Sequence, residues 1–136
     1  MYLLDTNVIS ELRKTKPHGA VAAWFGSIRK DLIKIPAAVI GEIQAGIEAT
    51  RTQDKAKALE IEQWLERIIA FYEVVPMKAE TFREWAKLMV GKPGNLLMDG
   101  MVAATARVNG LTVVTRNTKD FSSFNVQLLN PFSHRG

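Results

Sequence analysis

Four acids stand where solvated surface charge explains them least: Asp5, Glu42, Asp99 and Asp120. Asp5 ends the apolar run Tyr2-Leu3-Leu4 and is followed by Thr6 and Asn7. Glu42 lies mid-helix, with Ala38, Ala45 and Gly46 a turn away and Ala49 further along. Asp99 starts an apolar stretch whose face continues through Ala103 and Ala106. Glu42 and Asp99 are therefore expected to face the interior, where an unpaired carboxylate is costly. Asp120 follows Thr115-Arg116-Asn117 by one short turn. Structural roles compete: Asp5 and Asp99 suit helix N-caps and Asp120 suits a turn. Neither a cap nor a turn accounts for Glu42. If the four converge, their repulsion raises some of their pKa values, and a divalent cation relieves it. All-oxygen ligands suit Mg²⁺ or Mn²⁺. An ion so held can activate a water and stabilise charge on a phosphodiester.

Composition narrows the chemistry. The 136 residues, 47% hydrophobic and 24% charged, are expected to form a single domain, 1–136. With no cysteine and two histidines, His18 and His134 near the ends, thiolate sites and histidine-based triads are disfavoured. The net charge of +4 suits an anionic partner such as RNA, and equally suits simple solubility. No apolar run approaches the roughly 20 residues of a membrane span, and the apolar start stops at Asp5 without a basic leader. A cytoplasmic protein without membrane association is expected.

The elements that must position the acids are short. Apolar runs predict strands at Tyr2–Leu4, Leu32–Pro36, Tyr72–Val75, Leu111–Thr115 and Asn125–Leu129. Helices are predicted over 6–14, 20–30, 37–49, 54–71, 78–90 and 98–110, the last stopped by Asn109-Gly110. In the 54–71 helix, Ala58, Ile61, Leu65 and Ile68 recur at three- and four-residue steps and continue to Tyr72. This alternation implies an α/β fold with a small, mostly parallel sheet and helices on both faces. Ligands of such folds bind beyond the carboxyl ends of the strands. Asp5 and the Thr115-Arg116-Asn117 segment are both expected there.

YLLDTNVISEL, IGEIQAGI, LLMDGMVAATA, GLTVVTRNTKDF and the terminal NP together resemble the PIN-domain ribonucleases, in particular VapC-type toxins and their FitB-like branch. The resemblance runs the whole length. It implies a PIN-like fold and a Mg²⁺- or Mn²⁺-dependent endoribonuclease, the toxin of a toxin–antitoxin pair. Asp5, Glu42 and Asp99 match the family's first three acids, which would hold the metal and position the attacking water. Asn7 matches a residue that orients the first acid, and Thr115 a hydroxyl near metal or phosphate. Many relatives carry aspartate where Asn117 stands, so Asp120 is the candidate fourth acid. Asn7, Thr115, Arg116 and Asn117 are the candidate substrate contacts, and Arg116, Lys119 and Lys92 could track the backbone. Pro36 and Val39 stand where relatives often have serine and threonine.

The resemblance further implies a 5′-phosphate and a 3′-hydroxyl as products. It implies a homodimer, and a small antitoxin that fills an apolar groove and brings operator DNA. The Trp24-Phe25 and Ile9-Leu12 faces are candidate groove residues, or ordinary core. Two rival readings are a non-catalytic PIN-like module and a phosphotransfer domain or phosphatase using Asp5 as nucleophile. The latter usually needs an aspartate where Asn7 stands. A P-loop motif is absent.

Overall fold

A computed structural model describes residues 1–135. Five strands, β1 (Tyr2–Leu4), β2 (Ile33–Pro36), β3 (Glu73–Val75), β4 (Thr112–Val114) and β5 (Leu128–Leu129), form one parallel sheet in the order β3-β2-β1-β4-β5. The three inner strands carry Leu3, Leu4, Ile33, Ile35, Val113 and Val114, all at most 1% exposed. That is the continuous apolar character of strands covered on both faces. Each expected strand is present. The last one is shorter: Asn125 adopts the left-handed region (φ 53°), and the strand begins at Leu128.

The helices are α1 (Thr6–Ile9), α2 (Gly19–Ser27), α3 (Ala37–Arg51), α4 (Lys55–Phe71), α5 (Ala79–Leu88), α6 (Leu97–Asn109) and α7 (Thr118–Phe121). The expected 6–14 helix is a single α-turn that tightens into a 3₁₀ segment at Ser10–Arg13. There Glu11 is buried and accepts the His18 backbone N–H at 2.8 Å, with Lys14 as its ion partner. Those charge-assisted bonds hold the Glu11 carboxyl below its ordinary pKa, Lys14 contributing most. The tightening thus tucks the acid back onto the loop that opens α2.

In α4 the expected stripe packs inward, with Ala58, Leu65 and Ile68 buried and Ile61 and Tyr72 half-buried, and Trp64, outside that stripe, is buried beside it. α6 is buried from Val102 to Ala106 and ends at Gly110 in the left-handed region (φ 66°), where Leu111 N–H returns to the Ala106 carbonyl at 2.9 Å. α3 departs from expectation. Val39 and Ile47 turn inward, whereas Gly41, Glu42, Ala45, Gly46 and Ala49 are exposed. Branched side chains remove more apolar area from water than alanine does, so they win the inner face. Trp24, Phe25 and Ile9 are core residues at 3%, 5% and 0% exposure, not groove. No helix among the described residues is long and apolar enough to cross a membrane.

A candidate acidic site at the carboxyl edge of the sheet

The strand order reverses between β1 and β4. Chain connections leave β1 toward β2 and β3 on one side, and β4 toward β5 on the other. At such a reversal the loops diverge and open a crevice above the strand ends. In register, Leu4 pairs with Val114, and Asp5 N–H continues the ladder to the Val114 carbonyl at 3.0 Å. Asp5 and Thr115 therefore leave the two central strands side by side.

Asp5 caps α1, as one of its readings allowed, and is 4% exposed. Its Oδ1 accepts Thr6 N–H at 2.9 Å. Its Oδ2 accepts the Thr115 hydroxyl at 2.8 Å and Asn7 Nδ2 at 3.1 Å. Burial pushes its pKa up, and the Glu42 charge adds to that; the Thr115, Thr6 and Asn7 hydrogen bonds oppose it.

Thr115 is fully buried. Its hydroxyl donates to Asp5 and accepts from Asn7 Nδ2 at 3.3 Å and from Asn117 N–H at 3.0 Å. One donor and two acceptor positions are then used, which is all a hydroxyl has. The expectation that Thr115 meets substrate is corrected on that ground: it has neither exposure nor a free lone pair, and it orients Asp5. Asn7 has a similar task. Its amide nitrogen serves Asp5 and Thr115, and its Oδ1 accepts Arg116 N–H at 3.1 Å. Arg116 and Asn117 are exposed, and Asn117 opens α7 without a side-chain cap, so its amide faces solvent uncommitted.

Asp99 sits in the first turn of α6, not at the cap, which falls on Leu96. Because α6 runs back toward the start of β4, its N-terminus lies at the same sheet edge as Asp5. Asp99 is half-buried, and its pKa is raised from 3.8 to about 6 by burial first, then by the charges of Asp5, Asp120 and Glu42. Asp120 is exposed in the first turn of α7. Glu42 is exposed as well, contrary to its expected inward face; its carboxylate accepts the Thr6 hydroxyl, which ties α3 to the end of β1. Thr6 was not singled out in the sequence as a partner of Glu42. Its place beside Asp5 is the only local signal.

The four acids are thus gathered at one edge, where Asp99 feels the charge of the other three. Among the described residues, no three carboxylate or imidazole side chains close around a common point tightly enough to cage an ion. The donors are all hard oxygens, the ligand type that a small divalent cation takes. Asp5 is a poor covalent nucleophile, being buried with both oxygens hydrogen-bonded. This weakens the phosphotransfer reading. Arg116 and Lys119 are exposed beyond β4, whereas Lys92 rests over the Phe124 ring at 5.7 Å.

A family model described as the PIN domain matches residues 2–126. Toxin FitB of Neisseria gonorrhoeae is 34% identical over 97% of this chain and 99% of its own. The VapC ribonuclease Y4jK of Sinorhizobium fredii is 31% identical, covering 97% and 98%. The crystal structure of FitAcB from Neisseria gonorrhoeae superposes with a TM-score of 0.83 at 31% identity, over 98% of this chain and 99% of that one.

Proposed function

Since this chain belongs to the PIN-domain family, we propose that it is a metal-dependent endoribonuclease that hydrolyses RNA phosphodiesters as the toxin of a toxin–antitoxin pair. The observation that carries this reading is the charge coupling of Asp99 to Asp5, Asp120 and Glu42. Asp5 caps α1 and Glu42 bonds Thr6, but neither role calls for four acids at one sheet edge, where repulsion on Asp99 costs stability. The names of the relatives, a toxin and a VapC ribonuclease, support the same activity.

Asp5, Asp99, Glu42 and Asp120 would hold Mg²⁺ or Mn²⁺. When bound, such an ion withdraws charge from the phosphodiester oxygens and acidifies water. The three donors of Thr6, Asn7 and Thr115 oppose the upward push of burial on Asp5 and fix the direction in which its carboxylate points. Asp99 stands ready to shed its proton near neutral pH. Asp120, exposed on α7, orients the attacking water. Asn117 and Arg116, both exposed beyond β4, contact the RNA strand beside the cut. Departure of the 3′ oxygen then leaves a 5′-phosphate and a 3′-hydroxyl.

The partner is a small antitoxin. A groove of about 590 Å³ lined by Leu12, Trp64, Arg67, Ile68, Phe71 and Tyr72 offers an apolar helix a seat. Leu12 is the one expected groove residue that lines it. Exposed Phe82, Val90 and Leu97 supply apolar surface for a homodimer. Operator DNA is reached through the antitoxin.

The test is cleavage of single-stranded RNA by the purified chain with Mg²⁺ or Mn²⁺. Asp5→Asn and Asp99→Asn should each lower the rate by at least a hundredfold, in the range of lost transition-state charge stabilisation. Full activity in either variant refutes the assignment.

A further inference from the structure

The Arg116 side chain leads from the acidic site onto an aromatic ring. Its guanidinium carbon lies 4.7 Å from the centroid of the Phe132 ring. Phe132 in turn meets the His18 ring at 5.1 Å, inclined by 62°. The three come from distant parts of the chain: the exit of β4, the 3₁₀ turn Pro131–Ser133, and the N-cap of α2.

Each is fixed from below. Phe132 N–H is held by Asn130 Oδ1 at 3.0 Å. His18 Nδ1 accepts Ala20 N–H at 3.2 Å, which places the proton of the neutral ring on Nε2. Arg116 N–H is held by Asn7 Oδ1 at 3.1 Å, and the Asn7 amide holds Asp5 at 3.1 Å. Two hydrogen bonds therefore set this aromatic and cationic assembly at a fixed offset from the first acid. The upper parts are open: Arg116 and His18 are exposed, Phe132 is half-buried, and Arg116 makes no ion pair among the described residues.

We propose that Arg116, Phe132 and His18 form a base-stacking subsite beside the acids, which takes one unpaired nucleotide of the RNA strand. Proteins that read single-stranded RNA stack splayed bases on aromatic rings and guanidinium planes. Here the base lies against the Arg116–Phe132 stack, and the His18 Nε2–H donates to its edge. A base locked in a duplex cannot reach the platform, so the subsite selects loops and single strands. The subsite builds on the ribonuclease reading, but its binding can be measured without cleavage.

A 12-nucleotide single-stranded RNA carrying 2-aminopurine at each position in turn is bound to the Asp99→Asn protein in Mg²⁺, while cleavage is followed with the native chain. Stacking quenches 2-aminopurine. The expected result is quenching at one position, abolished by Phe132→Leu and by Arg116→Gln. On the native background the same changes should lower kcat/KM by roughly tenfold, the weight of one base–aromatic stack. Arg116→Gln alters an exposed side chain and keeps the test valid if Phe132→Leu unfolds. Quenching that persists in both variants, or none at any position, overturns the subsite. If quenching behaves as expected but the native chain cuts no RNA with metal present, the subsite stands and the nuclease reading falls.

Discussion

The Thr115 hydroxyl donates to Asp5 Oδ2 at 2.8 Å across the junction of β1 and β4, joining residues 110 positions apart. This bond follows from register. Leu4 pairs with Val114, so the next residue of each strand must meet its neighbour. It also makes a buried carboxylate tolerable, since a desolvated acid without donors is expensive.

Thr115→Val keeps the shape and removes the hydroxyl. Asp5, Asn7 and Asn117 each lose a partner, and buried groups left unpaired cost about 1–3 kcal/mol. Urea unfolding should show a loss in that range, and RNA cleavage should fall with it. Thr115→Ser should behave as the native chain in both assays. A stable, active Thr115→Val protein would show that the bond does not hold the acid in place.

Asp99 sets a pH dependence for the metal-free protein. Its folded pKa is raised from 3.8 to about 6, so between these values the folded chain binds more protons than the unfolded chain. Stability from this group therefore falls as pH rises through that window and is lowest above it. Asp99→Asn in EDTA should be more stable than the native chain at pH 7.5, with the advantage shrinking toward pH 4. Thermal unfolding across pH checks it, and an Asn variant less stable at pH 7.5 counts against the coupling. Cation uptake should weaken as pH drops through about 6, because the ligand must shed its proton.

Glu42 separates function from stability. It is exposed and, among the described residues, its one hydrogen-bond partner is the Thr6 hydroxyl, so Glu42→Gln should shift stability by no more than about 0.5 kcal/mol. Cleavage should nonetheless fall at least tenfold, through the lost charge. Thr6→Val, which frees Glu42 without neutralising it, should lower cleavage less. Equal rates for Glu42→Gln and the native chain would remove this acid from the site.

Gly100 lets α6 lie close to α5 beside Asp99. A Cβ there would stand 2.5 Å from Met89 Sδ and 3.3 Å from Trp85 Cδ1. Trp85 Nε1–H also reaches the Leu97 carbonyl at 3.2 Å, holding the first turn of α6. Overpacking costs about 1–3 kcal/mol, and alanine's better helix propensity returns about 1 kcal/mol. Gly100→Ala should thus lose roughly 1 kcal/mol net by these two figures. Met89→Ala in the same chain should recover part of the loss. Additive losses in the double variant would contradict the contact.

The sheet was legible because each strand is a short apolar run closed by a polar or helix-starting residue, and parallel burial leaves little else for such runs to be. The same logic put Asp5 and the Thr115-Arg116-Asn117 segment at one edge. Glu42 misled, since a small-residue face resembles a close-packed one, yet α3 spends its isoleucine and valine on the core and leaves alanines outside. The single turn of α7 is too short to show a period. The Thr6–Glu42 bond and the meeting of Arg116 with Phe132 depend on how distant segments dock, and no local pattern records that.

The central claim is that the four acids act as one cation-dependent site. The most direct test titrates the purified chain with Mn²⁺, following uptake by paramagnetic resonance and RNA cleavage in the same samples. Uptake and cleavage should rise together in the native chain, vanish together in Asp99→Asn, and both be reversed by EDTA. Cleavage that persists in EDTA, or in a chain that takes up no Mn²⁺, would contradict the account.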